Sequence, residues 1–517
     1  MGTLVLVNGK IVTVDDQFGV HQAVAVDGER ITAVGPDAAV RAHAGPGAAV
    51  VDLGGKTVIP GLIDNHNHFV RATEHVEVRL EGVRTRAGAL GVLERRAAGL
   101  APGQWLLTLG GWHEDQWEGD RAGLTLAELD AVAGGHPAFI QAQYDHVCVN
   151  TAWLDAMGVP PDADTRTTGH VGGGLIALNQ AAAGFPAADP AEGVRAAMAY
   201  YNSLGLTTVF DPGGVGVTGT AYAAIAAMAA RGELTLRVCT TLGDSKNSSS
   251  ASEARALADL ITAKKPFTGD QWYDQIAVGE IYHAPFHWDH AASPPQPSAP
   301  AIEAAAGILR AAAHAGWPVQ THSVTTQCLD LVFDAYERVN RDRAIRPLRW
   351  SVTHAEGITA AHLDRARRLG VTIQLRSQSV VGNQRRVIAA YGAAAARRMP
   401  PLRLVQDSGL TWGLGTDGTR AAQINPFITL WWAVTGRSLG GDRVLDEPVT
   451  REQALVAHTR SNARLMFREN DLGAIAPGLL ADMVVLDRDY LTVPEDEIRD
   501  IRPVATIVAG QLVYGAL

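Results

Sequence analysis

Short apolar runs separated by turn residues open the chain. Five of them, each rich in β-branched residues, span residues 4–7, 10–14, 23–26, 30–34 and 49–53. The pairs Asn8-Gly9 and Asp27-Gly28 each stand between two such runs. An Asn-Gly or Asp-Gly pair in this position is a strong signal for a β-hairpin. The pattern predicts a small antiparallel β unit whose apolar face needs a further layer to cover it.

The C-terminal part of the chain has the same character. Residues 481–487 and 504–514 are short, β-branched and bounded by turn residues. We therefore predict that both ends of the chain build one small β-sandwich domain, with residues 1–56 and 469–517 as its two parts. The central domain between them is predicted to cover residues 57–468.

In the central part, β-like runs alternate with Ala-rich stretches of helical character, as in βα units with a parallel sheet. Eight runs are candidates for its strands, and eight is the number that closes a barrel. These runs are residues 58–66, 206–211, 236–242, 273–280, 318–322, 349–354, 371–376 and 411–417. Outer helices are predicted over residues 301–315, 360–368 and 453–467, the last after a capping-box pattern at Thr450. The predicted fold class is α/β, a distorted TIM (β/α)8 barrel with the β-sandwich attached.

Two further β-like runs, residues 105–109 and 138–143, fall between the first two candidate barrel strands. We assign them to an insertion over residues 70–200, approximately. An insertion after the first strand is expected to lie over the mouth of the barrel, where substrate specificity is usually determined.

Histidines and carboxylates stand at the ends of five of the eight runs. Active sites of such barrels lie at the carboxyl ends of the strands, so these side chains are expected to converge. They are His66, His68, Glu280, His322, His354 and Asp417. Their nitrogen and oxygen donors suit zinc or, less specifically, iron, manganese or nickel, with one or two ions in the site.

A divalent metal in such a site lowers the pKa of bound water from about 15.7 towards roughly 7 and polarises a carbonyl oxygen. Asp417 is expected to orient or deprotonate that water and to return the proton to a leaving amine. His354 and His322 are each candidates for metal ligation or for stabilising the developing oxyanion, and the sequence leaves both roles open.

Composition and charge limit the classes of molecule that the protein is expected to bind. Hydrophobic residues make up 47% and charged residues 19% of 517 residues, which is typical of a globular protein. The net charge of -10, without a basic stripe, argues against nucleic acid or an anionic membrane surface, so a small-molecule substrate is expected. Three widely spaced cysteines, no secretory leader pattern and no apolar run of about twenty residues predict a cytoplasmic protein without disulfides.

Several motifs resemble the amidohydrolase superfamily, and within it the branch of YtcJ-like and N-substituted formamide deformylase-like proteins. The resemblance covers nearly the whole chain. It rests on residues 60–68, on Gly111-Trp112 with Trp117 and Arg121, on His146 followed by Asn150-Thr151, on residues 205–209, and on residues 473–475, Gly478, 481–482 and 508–510. It implies a metal-dependent hydrolase of non-peptide C–N bonds, with His66, His68, His322 and His354 at metal-binding positions and Asp417 as the acid/base.

The chain departs from this family pattern at three places. Relatives often carry a lysine on the fourth strand that becomes a bridging ligand, whereas this chain reads Asp274-Gln275-Ile276 there. Glu280 is the candidate replacement, and without it the site is expected to hold one metal. Residues 323–326 and 376–379, on the substrate side, also differ from the family pattern, so the resemblance does not carry over a particular substrate.

Further polar and aromatic residues are candidates for substrate contact. Those that we assign to this role are His146, Trp112, His113, Tyr144, His283 and Arg376. Glu114, Asp115, His287 and His290 are secondary candidates. Trp112, Trp117, Trp288, Trp431 and Trp432 are candidates for an aromatic pocket, although core packing is the expected role of the last two.

The sequence thus predicts a metal-dependent amidohydrolase that cleaves a small amide, such as an N-substituted formamide or another N-acyl compound, with a homodimer as the candidate assembly. A deaminase or cyclic-amide hydrolase on the same metal site, a metal-dependent decarboxylase, and a non-catalytic small-molecule binding protein are the alternatives. Retention of Asp417 beside the ligand set argues against the last, because a binding protein needs no proton shuttle.

Overall fold

A computed structural model describes residues 2–45, 47–173, 185, 189–214, 219–242, 248–287, 293–377 and 384–517. Within these ranges no helix has the length and apolar character required to cross a membrane. All three cysteines, Cys148, Cys239 and Cys328, are buried free thiols.

The strands in chain order are β1 Leu4–Val7, β2 Lys10–Val12, β3 Val20–His21, β4 Ala23–Asp27, β5 Arg30–Gly35, β6 Ala49–Asp52, β7 Thr57–Pro60, β8 Leu62–Asp64, β9 Leu106–Leu109, β10 Ala138–Ala142, β11 His146–Val149, β12 His170–Gly172, β13 Leu206–Asp211, β14 Arg237–Thr241, β15 Tyr273–Ala277, β16 Gln320–Ser323, β17 Ser351–His354, β18 Thr372–Arg376, β19 Trp412–Gly415, β20 Met483–Leu486, β21 Pro503–Val508 and β22 Gln511–Gly515.

The α-helices are Asp37–Ala44, Phe69–Ala72, Arg86–Ala97, Leu126–Val132, Thr151–Ala156, Thr165–Thr168, Pro190–Ser203, Gly219–Ala230, Ala251–Ala263, Ala284–His287, Ala299–Ala315, Thr326–Asp342, Ala360–Leu369, Gln384–Tyr391, Ala393–Ala396, Leu402–Asp407, Pro426–Thr435, Arg451–Ala457 and Arg460–Leu465. Among the described residues, 3₁₀ turns span Glu114–Gln116, Arg346–Leu348 and Glu495–Asp500.

Both ends of the chain contribute to one pair of sheets. A four-stranded sheet has the order β5-β4-β1-β6, and a six-stranded sheet has the order β22-β21-β20-β7-β2-β3. Strand β20 pairs with β7 in antiparallel register, with Met483 opposite Pro60 and Leu486 opposite Thr57. Side chains from both sheets, among them Leu6, Val58 and Val485, share one buried hydrophobic cluster. Segments from the two ends of the chain therefore share a sheet and a hydrophobic cluster.

The hairpin predicted at Asn8-Gly9 is wrong. β1 pairs with β4 and β6, whereas β2 pairs with β3 and β7, so the chain passes from one sheet to the other at this turn. The hairpin predicted at Asp27-Gly28 is confirmed, because β4 and β5 pair in antiparallel register there. A turn motif fixes the local bend but does not determine which strands pair across it.

Eight parallel strands form the centre of the fold in two four-stranded sheets, β15-β14-β13-β8 and β16-β17-β18-β19. The two sheets also contact each other at both edges. Val278 bridges to Val319 on one side and Asn67 bridges to Gly418 on the other, each in parallel register. The carboxyl ends of all eight strands consequently face the same end of a barrel-like arrangement.

The first predicted barrel strand, residues 58–66, consists of two strands. β7 belongs to the six-stranded terminal sheet and β8 to the central one, with Gly61 between them. A Cβ atom at Gly61 would lie 2.3 Å from Oγ1 of Thr207, which is closer than atoms can approach. Glycine at this position therefore allows one chain segment to pass between the two sheets.

The insertion folds around its own sheet, β12-β11-β10-β9. β9 and β10 correspond to the two predicted runs, whereas β11 and β12 were not predicted. The insertion reaches the mouth of the barrel, where the amide of Gly111 donates a hydrogen bond to the carbonyl oxygen of Arg420 at 3.2 Å. Arg420 lies three residues after Asp417, so the insertion contacts the loop that follows β19.

The predicted outer helices are present, with one correction. The helices Ala299–Ala315 and Ala360–Leu369 match their predictions closely. The predicted helix over residues 453–467 is instead two helices, Arg451–Ala457 and Arg460–Leu465, and the capping box at Thr450 is present. The break falls at His458 and Thr459, whose backbone leaves the helical conformation.

Candidate metal centre

The six side chains that the sequence placed at strand ends lie together. His66 and His68 follow β8, Glu280 follows β15, and Asp417 follows β19. His322 lies within β16 and His354 ends β17. All six are buried, with residue exposures of 8% or less. Parallel strands deliver these side chains to one end of the fold, which is the reason that sequence order could anticipate the cluster.

Glu280 is the centre of this cluster. Its Oε2 lies 3.0 Å from Nε2 of His354, 3.2 Å from Nδ1 of His322 and 3.6 Å from Nε2 of His66. Its Oε1 lies 3.8 Å from Nε2 of His68. One carboxylate thus faces all four imidazoles, which is the position required of a shared ligand.

Asp417 closes the other side of the cluster. Its Oδ1 lies 3.2 Å from Nε2 of His68 and 3.6 Å from Nε2 of His66. Its Oδ2 accepts a hydrogen bond of 2.6 Å from Nη1 of Arg376, and Nε of Arg376 donates to Glu356 at 2.7 Å. Arg376 therefore fixes one oxygen of Asp417 and leaves the other directed at the histidines.

The donor atoms fit a divalent cation. The atoms of His66, Glu280 and His354 lie within 4.8 Å of one another, as do those of His66, His68 and Asp417. Nε2 of His66 is buried without a hydrogen-bond partner among the described residues. Nδ1 of His68 is 2.6 Å from the carbonyl oxygen of Gly213, so Nδ1 carries the hydrogen and Nε2 is left to face a carboxylate. A cation between these nitrogens and carboxylates satisfies both.

The electrostatics of the cluster favour ionised carboxylates and, at His66 and His354, neutral imidazoles, whereas at His68 the Asp417 carboxylate outweighs burial and raises the pKa. Burial would raise the pKa of Glu280, but the imidazoles of His66, His322 and His354 hold it well below its usual range. Asp417 behaves likewise, since His68 and Arg376 outweigh its burial and lower its pKa. Burial lowers the pKa of His66 to about 4. Deprotonated ligands of this kind are those that a metal binds.

Backbone strain is concentrated at the same place. His354 has φ of 70° and Asp417 has φ of 61°, in the left-handed region that residues with side chains rarely adopt. Such conformations cost about 1–3 kcal/mol each and persist where the surrounding structure holds them. Their occurrence at two of the six cluster positions is typical of a functional site.

Hydrogen bonds from neighbouring residues hold the histidines and their chain segments in position. Thr353 Oγ1 lies 3.0 Å from Nδ1 of His66 and orients that ring. The Asp64 carboxylate accepts hydrogen bonds from the side chain of Asn67 at 2.8 Å and from the backbone amide of Thr416 at 3.0 Å. Asp64 thereby ties the segment that carries His66 to the segment that carries Asp417.

The residues predicted to contact substrate fall into separate groups. Arg376 lies in the cluster, as described. His283 is buried and its Nδ1 lies 3.0 Å from Oγ of Ser248. Trp112 stacks on Trp117 at 5.4 Å inside the hydrophobic core of the insertion, and Trp431 and Trp432 are buried in the main core. Trp288, His290 and residues 378–379 lie outside the described residues.

His113, Tyr144 and His146 lie in the insertion. Nε2 of His113 is 3.2 Å from Oδ2 of Asp145, and Nε2 of His146 is 2.8 Å from Oε1 of Glu114. Tyr144 is half-buried and interacts electrostatically with Arg71. Their contact with substrate stays a prediction.

Two residues of the site were not anticipated. Glu356 holds Arg376, and Thr353 orients His66. Both lie within two residues of His354, so their position next to a predicted ligand was the available signal. Sequence spacing alone did not identify their partners, which come from other strands.

The comparisons with known proteins agree with this geometry. The model of the amidohydrolase family matches residues 49–514. The chain belongs to the amidohydrolase family. It is 27% identical to N-substituted formamide deformylase of Arthrobacter pascens, over 99% of this chain and 98% of that protein. It is 22% identical to the putative amidohydrolase YtcJ of Bacillus subtilis, over 91% and 92% of the two chains.

Among solved structures, an uncharacterized metal-dependent hydrolase from Pyrococcus furiosus superposes with a TM-score of 0.66 at 21% identity. The match covers 95% of this chain and all of that chain, which shows a common TIM-barrel-like α/β fold. This amidohydrolase is accordingly a metal-dependent hydrolase of carbon–nitrogen bonds other than peptide bonds, and it falls in the YtcJ-like branch of the family.

Proposed function

We propose that this amidohydrolase cleaves the amide bond of an N-substituted formamide or a related small N-acyl compound, releasing an amine and a carboxylate. The observation that carries the proposal is the buried cluster of four imidazoles and two carboxylates around Glu280. The similarity to N-substituted formamide deformylase over almost the full length of both chains supports this substrate class.

We infer that the cluster holds zinc, as one or two ions, through His66, His68, Glu280, His322, His354 and Asp417. Imidazole nitrogen and carboxylate oxygen are the donors that zinc prefers. When bound, such a metal makes hydroxide available near neutral pH and polarises the amide carbonyl. Glu280 would serve as a metal ligand in place of the lysine that relatives often carry, because its carboxylate faces all four histidines.

Asp417 acts as the acid/base in this proposal. Its Oδ1 receives the proton of the attacking water and returns it to the leaving nitrogen, so that the amine departs neutral. Arg376 binds Oδ2 and prevents the carboxylate from rotating. His354 is assigned to the ligand set, because its Nε2 lies beside Glu280 in the same trio as His66.

Release of both products tests the reaction. A panel of N-alkyl and N-aryl formamides is incubated with the enzyme, and amine and formate are measured separately. Equal release of amine and formate supports the proposal. Ammonia from an amino-substituted ring would indicate a deaminase instead, carbon dioxide a decarboxylase, and substrate binding without turnover a binding protein.

A matched pair of variants tests the role of Asp417. Asp417→Asn is expected to lower kcat about 10²–10⁴-fold, the usual contribution of a positioned acid/base. Asp407→Asn, at an exposed site, is the control and should leave kcat unchanged. Full activity of Asp417→Asn would overturn this assignment.

Metal analysis tests the ligand set independently of activity. Purified wild type and Glu280→Ala are compared by elemental analysis. Loss of at least one metal equivalent in the variant supports Glu280 as a ligand. One equivalent at this cluster, unchanged in the variant, would mean a mononuclear site and would leave Glu280 to the substrate or to solvent.

We also propose that the central strands form a closed, distorted (β/α)8 barrel over residues 57–468 and that residues 1–56 and 469–517 form one β-sandwich domain. The bridges at Val278 and Asn67 and the shared hydrophobic cluster of the terminal sheets support this division. A cytoplasmic location, supported by the free buried thiols, and a homodimeric state are further proposals. Fractionation of cells and sedimentation in solution test these two.

A further inference from the structure

A second group of side chains that could bind a metal lies in the insertion, and none of its members belongs to the cluster around Glu280. It consists of His146, Cys148 and His170, and its donor atoms lie within 4.8 Å of one another. We propose that these three residues form a zinc site with a thiolate ligand, which is a different kind of site from the cluster around Glu280. Nothing in the proposed hydrolysis requires it.

The register of the insertion sheet brings these side chains together. His146 and Cys148 are two residues apart on β11, so their side chains point to the same face of the sheet. Cys148 pairs directly with His170 on the antiparallel strand β12. Side chains that face each other in this way have Cβ atoms about 4.5–5.5 Å apart. Sheet pairing therefore aligns the three ligands before any metal binds.

Contacts at the site fit a metal with one thiolate and two imidazole ligands. Sγ of Cys148 lies 3.7 Å from Nδ1 of His170. Nε2 of His146 is held by Glu114 at 2.8 Å, which leaves Nδ1 of that ring for the metal. A carboxylate behind a ligating imidazole is the arrangement that commonly orients histidine in zinc sites. Sulfur and nitrogen donors together favour zinc over calcium or magnesium.

Exposure differs among the three ligands. Cys148 is fully buried, the His146 side chain is 26% exposed, and His170 is exposed. The site thus opens to solvent on the side of His170, where the metal can enter and where water can complete its coordination. A metal here would fasten the three-residue edge strand β12 to β11.

Cobalt substitution tests the proposal, because a thiolate bound to Co²⁺ produces a sulfur-to-metal charge-transfer absorption in the near ultraviolet. No cysteine is among the ligands proposed around Glu280, so the absorption reports on the insertion alone. The metal is removed from the whole enzyme, Co²⁺ is added, and the spectrum is recorded. The absorption is expected in the wild type and is expected to disappear in Cys148→Ala.

Two variants separate loss of the metal site from loss of the fold. Cys239→Ala removes an equally buried thiol elsewhere and should keep the absorption. His170→Ala alters an exposed residue, so the protein should remain folded by circular dichroism while the absorption is lost or strongly reduced.

Glu114→Gln is expected to weaken zinc binding about 10–100-fold in a competition titration with a chelator.

A wild type that binds Co²⁺ without the sulfur absorption would overturn the proposal, as would an absorption that survives Cys148→Ala. Because elemental analysis of Glu280→Ala addresses the other cluster, the two metal assignments can fail separately. If His146 instead contacts substrate, its replacement by Gln should raise KM while the Co²⁺ spectrum stays unchanged, and this result would also refute the zinc site.

Discussion

His458 predicts a specific pH dependence of stability. Its imidazole is fully buried behind the segment that carries the first two histidines of the candidate metal centre. Nδ1 lies 2.9 Å from the carbonyl oxygen of Ile63, and Nε2 has no hydrogen-bond partner among the described residues. Burial lowers the pKa of His458 to about 4 from its ordinary value of 6.5. The folded protein therefore holds this histidine neutral at pH values where the unfolded chain protonates it.

The magnitude follows from this difference in pKa. A group whose pKa is lower in the folded state contributes stability above its unfolded pKa and loses it as the pH falls towards the folded value. Each pKa unit corresponds to 1.36 kcal/mol. Protonation of His458 is therefore expected to lower the free energy of unfolding by about 3 kcal/mol as the pH falls from 7 to 4. In His458→Asn, whose amide nitrogen can still donate to Ile63, this part of the pH dependence should be absent.

Urea unfolding at a series of pH values, followed by circular dichroism, measures the effect. Carboxylates also contribute to acid destabilisation, so the quantity of interest is the difference between wild type and variant at each pH. His43→Asn is the matched control, because His43 is exposed and its imidazole stays in water. Parallel pH profiles for wild type and His458→Asn would refute the reasoning, since a constant offset reflects packing and not proton binding.

Three further perturbations have defined outcomes. Gly61→Ala should destabilise the fold by about 1–3 kcal/mol, because the new Cβ overlaps Thr207, and an unchanged urea midpoint would contradict this contact. Asp482→Asn should cost about 3–5 kcal/mol, because it weakens a two-point ion pair of 2.9 and 3.0 Å with the fully buried Arg237, and a loss below about 1 kcal/mol would argue against that pairing. Removal of metal with a chelator should lower Tm. Addition of zinc at about 100 times its Kd should restore about 2.7 kcal/mol of the free energy of unfolding. A Tm that neither step changes would count against metal binding in the folded state.

The sequence predicted the members of the candidate metal centre because chain order and strand ends carry that information. In a parallel sheet, each strand delivers its last residues to the same end, so His66, His322, His354 and Asp417 could be grouped without coordinates. Glu280 was identified by its place after the fourth strand. Its contact with all four imidazoles depends on distances across the sheet, which sequence spacing does not contain.

The features that sequence analysis missed depend on pairing between distant segments. Strand β12 has only three residues, and its register with β11 makes Cys148 a neighbour of His170. The pattern of apolar residues gave no indication of that pair. Likewise, Asn8-Gly9 is a strong hairpin signal, but β1 and β2 find better partners in separate sheets. Local propensity determines that the chain bends, and tertiary packing determines which strands then meet.

Pairing of β7 with β20 has a consequence for synthesis on the ribosome. Pro60 pairs with Met483, which is translated 423 residues later, so this pairing cannot form before then. At about 5–20 residues per second, the interval is roughly 20–80 s. During that time one edge of β7 lacks its partner and can pair with another chain, which is the main hazard of an open strand edge. Slower elongation over the second half of the message should therefore increase aggregation of nascent chains, and chaperones that bind extended apolar segments should reduce it.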